Sequence, residues 1–474
     1  MSDPACSLDN NAAGSADDAQ RRDYRRMTRR DFVKGITVVG STGVAVYAGR
    51  YLIPPSPRFQ DRTSGRTLGY VVPHSGEEIQ FVNETDEPFY LPPVDYSWSI
   101  DGKVVSGSRV YSSKLSETKS TGTPHTVELS GYRSSVIVNS VRQTIDVDPE
   151  IMPEYPAKRF DIPIKGVNYR AAALWGWYPS EAETRECMWV TKNELGCNGI
   201  LISGADDSRI LQVAEIAAQQ GIETILLSPR AQREDFTIEE HVSRIIEFSK
   251  SVEEFRKKTP GTVLGVGNEL TVDVMGILEG STYDERTSEW EAKGWEYQKK
   301  LDDYLAVIVE GVREHYTGKM TYVSAIGEGR YVHWGELGFD IMAPHLYPGG
   351  DYWTDERILE RIQIMRGKYR MPLWISEFGC ATYRGATADG ASSNYVNQDY
   401  DQSEQANAIV HDVNLFQKAK VDGLFLWTLF WPMQIDAASY GIMQYVGTPH
   451  GREEDPSTRL KRKLGFYAYK SYVH

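Results

Sequence analysis

Two carboxylates stand directly behind apolar runs in this 474-residue sequence: Glu269 closes Val266-Gly267-Asn268-Glu269, and Glu377 lies in Trp374-Ile375-Ser376-Glu377-Phe378-Gly379. A pair of carboxyl groups facing each other across a cleft can share the cleavage of an acetal, provided they stand roughly 5 Å apart and their pKa values differ. Either motif alone is short enough to mark a solvated loop carboxylate. Together they set a geometric requirement: the elements that end near 269 and 377 must converge.

Those elements follow a strand-helix rhythm that begins after a proline-stiffened linker at residues 149–163. Apolar runs read as parallel strands at 164–168, 199–202, 224–227, 263–266, 320–323, 341–343, 373–375 and 424–427. Amphipathic helices are expected between them, among others at 208–220, 238–258, 291–316, 356–368 and 403–419. Eight such units in residues 164–474 have the size of a (β/α)8 TIM barrel, whose working residues stand at the C-terminal ends of the strands. On this count Glu269 follows strand four and Glu377 strand seven, on opposite sides of the barrel mouth. An open doubly wound sheet would instead offer a Gly-rich phosphate loop after an early strand, and Gly166-Val167-Asn168-Tyr169-Arg170 is not one.

At this point the residues resemble a known group. Asn268-Glu269 after strand four and Glu377-Phe378-Gly379 after strand seven are similar to the clan A glycoside hydrolases, which include the family 5 cellulases and mannanases. The stretches 377–386 and 438–442 also resemble a set of bacterial and archaeal proteins, some of which carry the name abortive infection protein. The resemblance implies a retaining enzyme acting on a β-linked polysaccharide or glycoconjugate, with Glu269 as general acid/base and Glu377 as nucleophile. It further implies that Asn268 bonds the sugar 2-hydroxyl, that Tyr347 of His345-Leu346-Tyr347 holds the nucleophile ionised, and that Trp427 forms a platform for a sugar ring. His345 alone would read as a structural histidine and Trp427 alone as core. Family 5 enzymes carry an arginine after strand two, whereas this chain has Ser203-Gly204-Ala205-Asp206-Asp207-Ser208; Arg170 or Arg230 is left to fill that place. Trp175, Trp177 and Trp353 lie in post-strand loops, where cleft lining and plain packing are both open readings, the polar loop 385–402 could shape a substrate site, and the acidic Glu328 is given no site role.

The bulk composition fits. With 66 acidic against 52 basic residues the formal charge is −14, and there is no basic stripe beyond the N-terminal tail, which argues against a nucleic-acid partner. Tyrosine (28) and tryptophan (11) are plentiful, a composition suited both to sugar faces and to an ordinary core. There is no His-Glu-x-x-His, Cys/His ligand set, EF-hand loop or phosphate-cradling loop, so no metal or other cofactor is expected. Cys6, Cys187, Cys197 and Cys380 lack C-x-x-C spacing and are expected to be buried thiols.

Residues 1–55 form a polar tail followed by Thr28-Arg29-Arg30-Asp31-Phe32-Val33-Lys34 and an apolar run to Ala48, which resembles a twin-arginine export signal. That resemblance implies passage through the twin-arginine translocase, an exported location and either cleavage or retention as a membrane anchor. Residues 62–148 show short alternating runs and turn signals, among them Asp101-Gly102 after Trp98, and are expected to form a small all-β sandwich similar to PKD or immunoglobulin modules. Two other readings remain open: a noncatalytic glycan-binding barrel on the cell surface, and a transglycosylase of envelope glycans.

Overall fold

The computed structural model describes residues 161–473 except 172–178, 232–235, 326, 330–331, 391–397, 432–437 and 447–458, and, before these, residues 58–59, 78–82, 95–106, 110–114, 125–133 and 136–145. The export-signal stretch, Cys6, Trp175, Trp177 and most of the proline linker lie outside the described residues.

Eight parallel strands make one sheet: β1 (Ile164–Arg170), β2 (Gly199–Gly204), β3 (Thr224–Pro229), β4 (Thr262–Asn268), β5 (Lys319–Ser324), β6 (Ala343–Pro344), β7 (Trp374–Phe378) and β8 (Gly423–Leu426). β8 pairs with β1 from Gly423 opposite Ile164 to Leu426 opposite Val167. Parallel bridges Met342 to Leu373 and His345 to Glu377 join β6 to β7, so the sheet closes on itself. The fold is the (β/α)8 barrel that the strand-helix rhythm predicts. The strands are nearly continuous apolar runs because both faces of a closed parallel sheet are covered. Leu201, Leu226, Val263, Val323, Ile341, Trp374 and Phe425 fill the barrel axis.

The outer layer holds α1 (Glu181–Trp189), α2 (Asp207–Gln219), α3 (Ile238–Lys258), α4 (Tyr283–Lys293), α5 (Gln298–Arg313), α6 (Asp355–Lys368), α7 (Gln402–Lys418) and α8 (Leu464–Val473). Their starts follow local capping rules. Thr237 and Glu240 form a reciprocal capping box on α3, and Asp206 and Thr354 cap α2 and α6. α5 buries Leu301, Tyr304, Leu305, Ile308, Val309 and Val312, the three-four spacing of a helix facing a core. The single helix expected over 291–316 is a correction: it breaks into α4, a 3-10 turn at Gly294–Tyr297 and α5. Gly294 lies flush against Trp290, where an added Cβ would sit 2.9 Å from the indole.

Ahead of the barrel, strands Asp95–Ile100, Lys103–Ser106, His125–Arg133 and Val136–Ile145 form an antiparallel sheet, and Arg58–Phe59, Glu78–Val82 and Val110–Lys114 form another. Asp101 (φ 52°) and Gly102 (φ 78°) make the tight turn of the first hairpin, and Trp98 beside it is fully buried.

After the barrel strands, a hairpin of Met443–Val446 and Arg459–Arg462 is tied to the turn after α1. Arg462 donates from Nε and Nη2 to the two oxygens of Glu194, both at 2.8 Å, and the pair is buried. Removing one partner of such a pair strands the other charge in a low dielectric. Arg462→Met is therefore expected to cost about 3–5 kcal/mol in urea unfolding, with specific activity of the folded protein unchanged.

Candidate active site

The C-terminal ends of the strands gather one charged cluster. Asn268 is the last residue of β4, and Glu269 follows it with left-handed backbone (φ 49°, ψ 43°), a conformation that costs a non-glycine residue roughly 1–2 kcal/mol. Strain of this kind persists where neighbours hold it. The Glu269 amide donates to Val323 O at 3.0 Å, and a helical turn, Leu270–Asp273, starts immediately after. Glu377 sits within β7, and His345 is its bridge partner across the β6–β7 seam. Gly379 explains the Glu-Phe-Gly motif: at φ 148° its Cα passes β8 so closely that a Cβ would lie 2.5 Å from Trp427 O.

One imidazole touches both carboxylates. His345 Nδ1 lies 3.3 Å from Glu269 Oε1, and His345 Nε2 lies 3.4 Å from Glu377 Oε1. The first contact has hydrogen-bond geometry; the second is a charge contact without it, and neither His345 Nε2 nor Glu377 Oε1 has a hydrogen-bond partner. Tyr347 OH donates to the other oxygen of that residue, Glu377 Oε2, at 2.8 Å. Glu269 Oε2 accepts from Arg230 Nη2 at 2.9 Å, and Arg230 is held in turn by Asp273 through Nε at 3.1 Å and Nη2 at 3.2 Å. Arg230 thus lies on Glu269 rather than bracing Glu377, the place left open for it by the sequence. Arg170 stacks instead over Trp431 at 4.8 Å and Trp427 at 5.8 Å.

These contacts set the proton balance. Burial favours the neutral carboxyl at Glu269, but the His345 hydrogen bond and the Arg230 charge outweigh it and hold the group well below the usual carboxylate range. Burial raises Glu377, and the Glu269 charge adds to that rise against the pull of His345. Burial opposes charge on His345, yet Glu377 and Glu269 together raise its pKa above the ordinary 6.5. Asp273 is pushed up to about 6, chiefly by burial. The cluster therefore favours the ionised form of Glu269, and the imidazole beside it holds its proton to a higher pH than a free histidine does.

Asn268 is fully buried, its Nδ2 donating to Ser228 Oγ at 3.3 Å while Oδ1 is without a partner. Trp427 is only 6% exposed, packed edge to face on Trp431 at 5.4 Å, so little of its ring forms an open platform. Trp353 packs under Arg361 at 4.3 Å and against Tyr352 at 4.8 Å in the loop after β6. Glu328 is fully buried behind Glu269 rather than open to the mouth. Asp273 was not singled out in the sequence; its one local signal is its position four residues after Glu269, which places it on the same side of a helical turn.

Residues 295–443 match the family model Glycoside Hydrolase Family 113. That stretch includes His345, Tyr347, Glu377 and Trp427 and begins after Glu269. Among solved structures, a family 113 β-1,4-mannanase aligns at 17% identity over 66% of this chain and 99% of its own, with a TM-score of 0.46. An FMN-binding β-glucuronidase from Facaelibacterium prausnitzii L2-6 aligns at 15% identity over 88% of this chain and 61% of its own, TM-score 0.44. The Ruminococcus gnavus β-glucuronidase aligns at 11% identity over 89% and 68%, TM-score 0.45. No curated protein matches the sequence. With the family match seated on a closed eight-stranded barrel, the chain is a clan A-type glycosidase, an enzyme acting on glycans.

Proposed function

We propose that the chain hydrolyses a β-linked polysaccharide or glycoconjugate with retention, Glu377 attacking the anomeric carbon and Glu269 serving as general acid and then base. The observation that carries this reading is the single imidazole in contact with both carboxylates, since it sets the two groups on either side of one small gap. Glu377 Oε1 is the attacking atom, with Oε2 held by Tyr347. In the first step His345 passes its Nδ1 proton to Glu269 Oε1, and Glu269 gives it to the departing glycosidic oxygen as the Glu377 ester forms. In the second, Glu269 takes a proton from the water that attacks the anomeric carbon and releases Glu377, and hands that proton back to His345 Nδ1. Asn268, with an unpartnered acceptor, bonds the sugar 2-hydroxyl, and the edges of Trp427 and Trp431 flank the ring. The twin-arginine-like stretch supports action outside the membrane, on export through that translocase.

Digestion of a panel of β-glucans, β-mannans, xylans and uronate-bearing polymers, followed by proton NMR of the first reducing ends formed, tests the reading. The expected result is turnover of at least one polymer with the β anomer appearing before mutarotation. An α anomer formed first would replace double displacement by a single inversion.

A further inference from the structure

The turn that carries Glu269 lacks a cap of its own: Glu269 occupies the N-cap position and makes no side-chain capping bond. The first N–H groups of a helix need acceptors from elsewhere. They find them at Glu328, in the loop after β5. Glu328 Oε1 accepts from Thr271 N at 3.3 Å and from Thr271 Oγ1. Glu328 Oε2 accepts from Tyr322 OH at 2.6 Å and from Ala325 N at 2.8 Å, and the same Tyr322 hydroxyl accepts from Leu270 N at 2.9 Å. Both amides that follow Glu269 thus end on this carboxylate, one directly and one through a phenol. All of its lone-pair directions are used within the protein, so it is not a third acid of the cleft.

We infer that Glu328 is a positioning residue, a remote cap that holds Glu269 in its left-handed backbone and aims its carboxyl at the leaving oxygen. The inference rests on Glu269 being the acid/base. A carboxylate is required because four donors converge on two acceptor-only oxygens. In Glu328→Gln one of those oxygens becomes an NH2 donor, and either the Thr271 pair or the Tyr322 and Ala325 pair faces another donor. The turn then loosens at 270–271 while the barrel below is untouched.

Two measurements on the full chain decide it. In hydrogen exchange, Glu328→Gln is expected to speed exchange of amides 270 and 271 at least tenfold, with β2 unchanged; wild-type protection at 270–271 would overturn the latch. In kinetics, paired phenyl and dinitrophenyl β-glycosides of whichever sugar the wild type accepts separate acid catalysis from general damage, because a dinitrophenolate leaves without a proton. The expected result is a loss in kcat/KM, which reports the first step, of about 10²-fold on the phenyl glycoside and less than about threefold on the dinitrophenyl one. Equal losses on both would reduce Glu328 to a fold residue. Should Glu328→Gln fail to fold, Thr271→Val removes one donor from the same latch and is expected to show the same selective loss, smaller in size; no selectivity there would also overturn it. If the wild type hydrolyses neither the polymers nor any aryl glycoside, the proposed reaction fails, and the exchange result still judges the latch by itself.

Discussion

Glu377→Gln lowers kcat by roughly four to six orders of magnitude while leaving the protein folded, the expected result if this oxygen forms the covalent bond. An amide is nearly isosteric and can still accept from Tyr347 OH, so binding and stability are retained. What disappears is the nucleophile. The substitution also removes one of the two carboxyl groups whose charge raises the pKa of His345, so the proton reserve of the acid weakens in the same stroke. The measurement is the hydrolysis rate on the best polymer from the panel, with thermal midpoint recorded alongside. A second readout is mass spectrometry after incubation with a 2-fluoro glycosyl fluoride, in which the peptide containing Glu377 gains one sugar mass. Activity within tenfold of wild type would place the nucleophile elsewhere, whereas a wild type inactive on every polymer of the panel would leave a binding barrel.

The two glutamates were legible in sequence because strand ends are legible: a short apolar run followed by a charged residue marks the mouth of a parallel barrel. Tyr347 came from the resemblance of His345-Leu346-Tyr347 to the family 5 pattern, and it lies three residues beyond β6 with its hydroxyl on Glu377. Arg230 and Glu328 were read differently, and the cause is physical. The bond from Arg230 to Glu269 spans 39 positions and that from Glu328 to Thr271 spans 57, and side-chain pairs at such separations leave no periodic trace. An acidic residue in a post-strand loop reads as solvated until the donors around it are seen. Trp427 shows the reverse: the family resemblance implied an open platform, the residue alone read as core, and packing by Trp431 and Arg170 covers most of the ring. The break between α4 and α5 was hidden because helical periodicity continues on both sides of Gly294, and only the approach of Trp290 makes the glycine necessary.

Glu269→Ala has the second largest expected effect, and its sign depends on the substrate. With a phenyl leaving group, loss of the proton donor should slow the first step by about 10²- to 10⁴-fold. With a dinitrophenyl leaving group that step proceeds, and the glycosyl ester on Glu377 accumulates because no base activates water. Azide, which needs no base, then restores turnover and yields a glycosyl azide of retained configuration. The pH dependence follows from where the proton is stored. Burial works against charge on His345, but Glu377 and Glu269 hold it protonated to a pH above 6.5, so the proton destined for the leaving oxygen is present below that raised pKa and lost above it. In wild type, kcat/KM on the phenyl glycoside is therefore expected to decline on the alkaline side of 6.5, and Glu269→Ala on the dinitrophenyl glycoside should lack that decline. An unchanged alkaline limb in the variant would mean that it belongs to a group other than the His345–Glu269 relay, and absence of azide rescue would remove Glu269 from the base step.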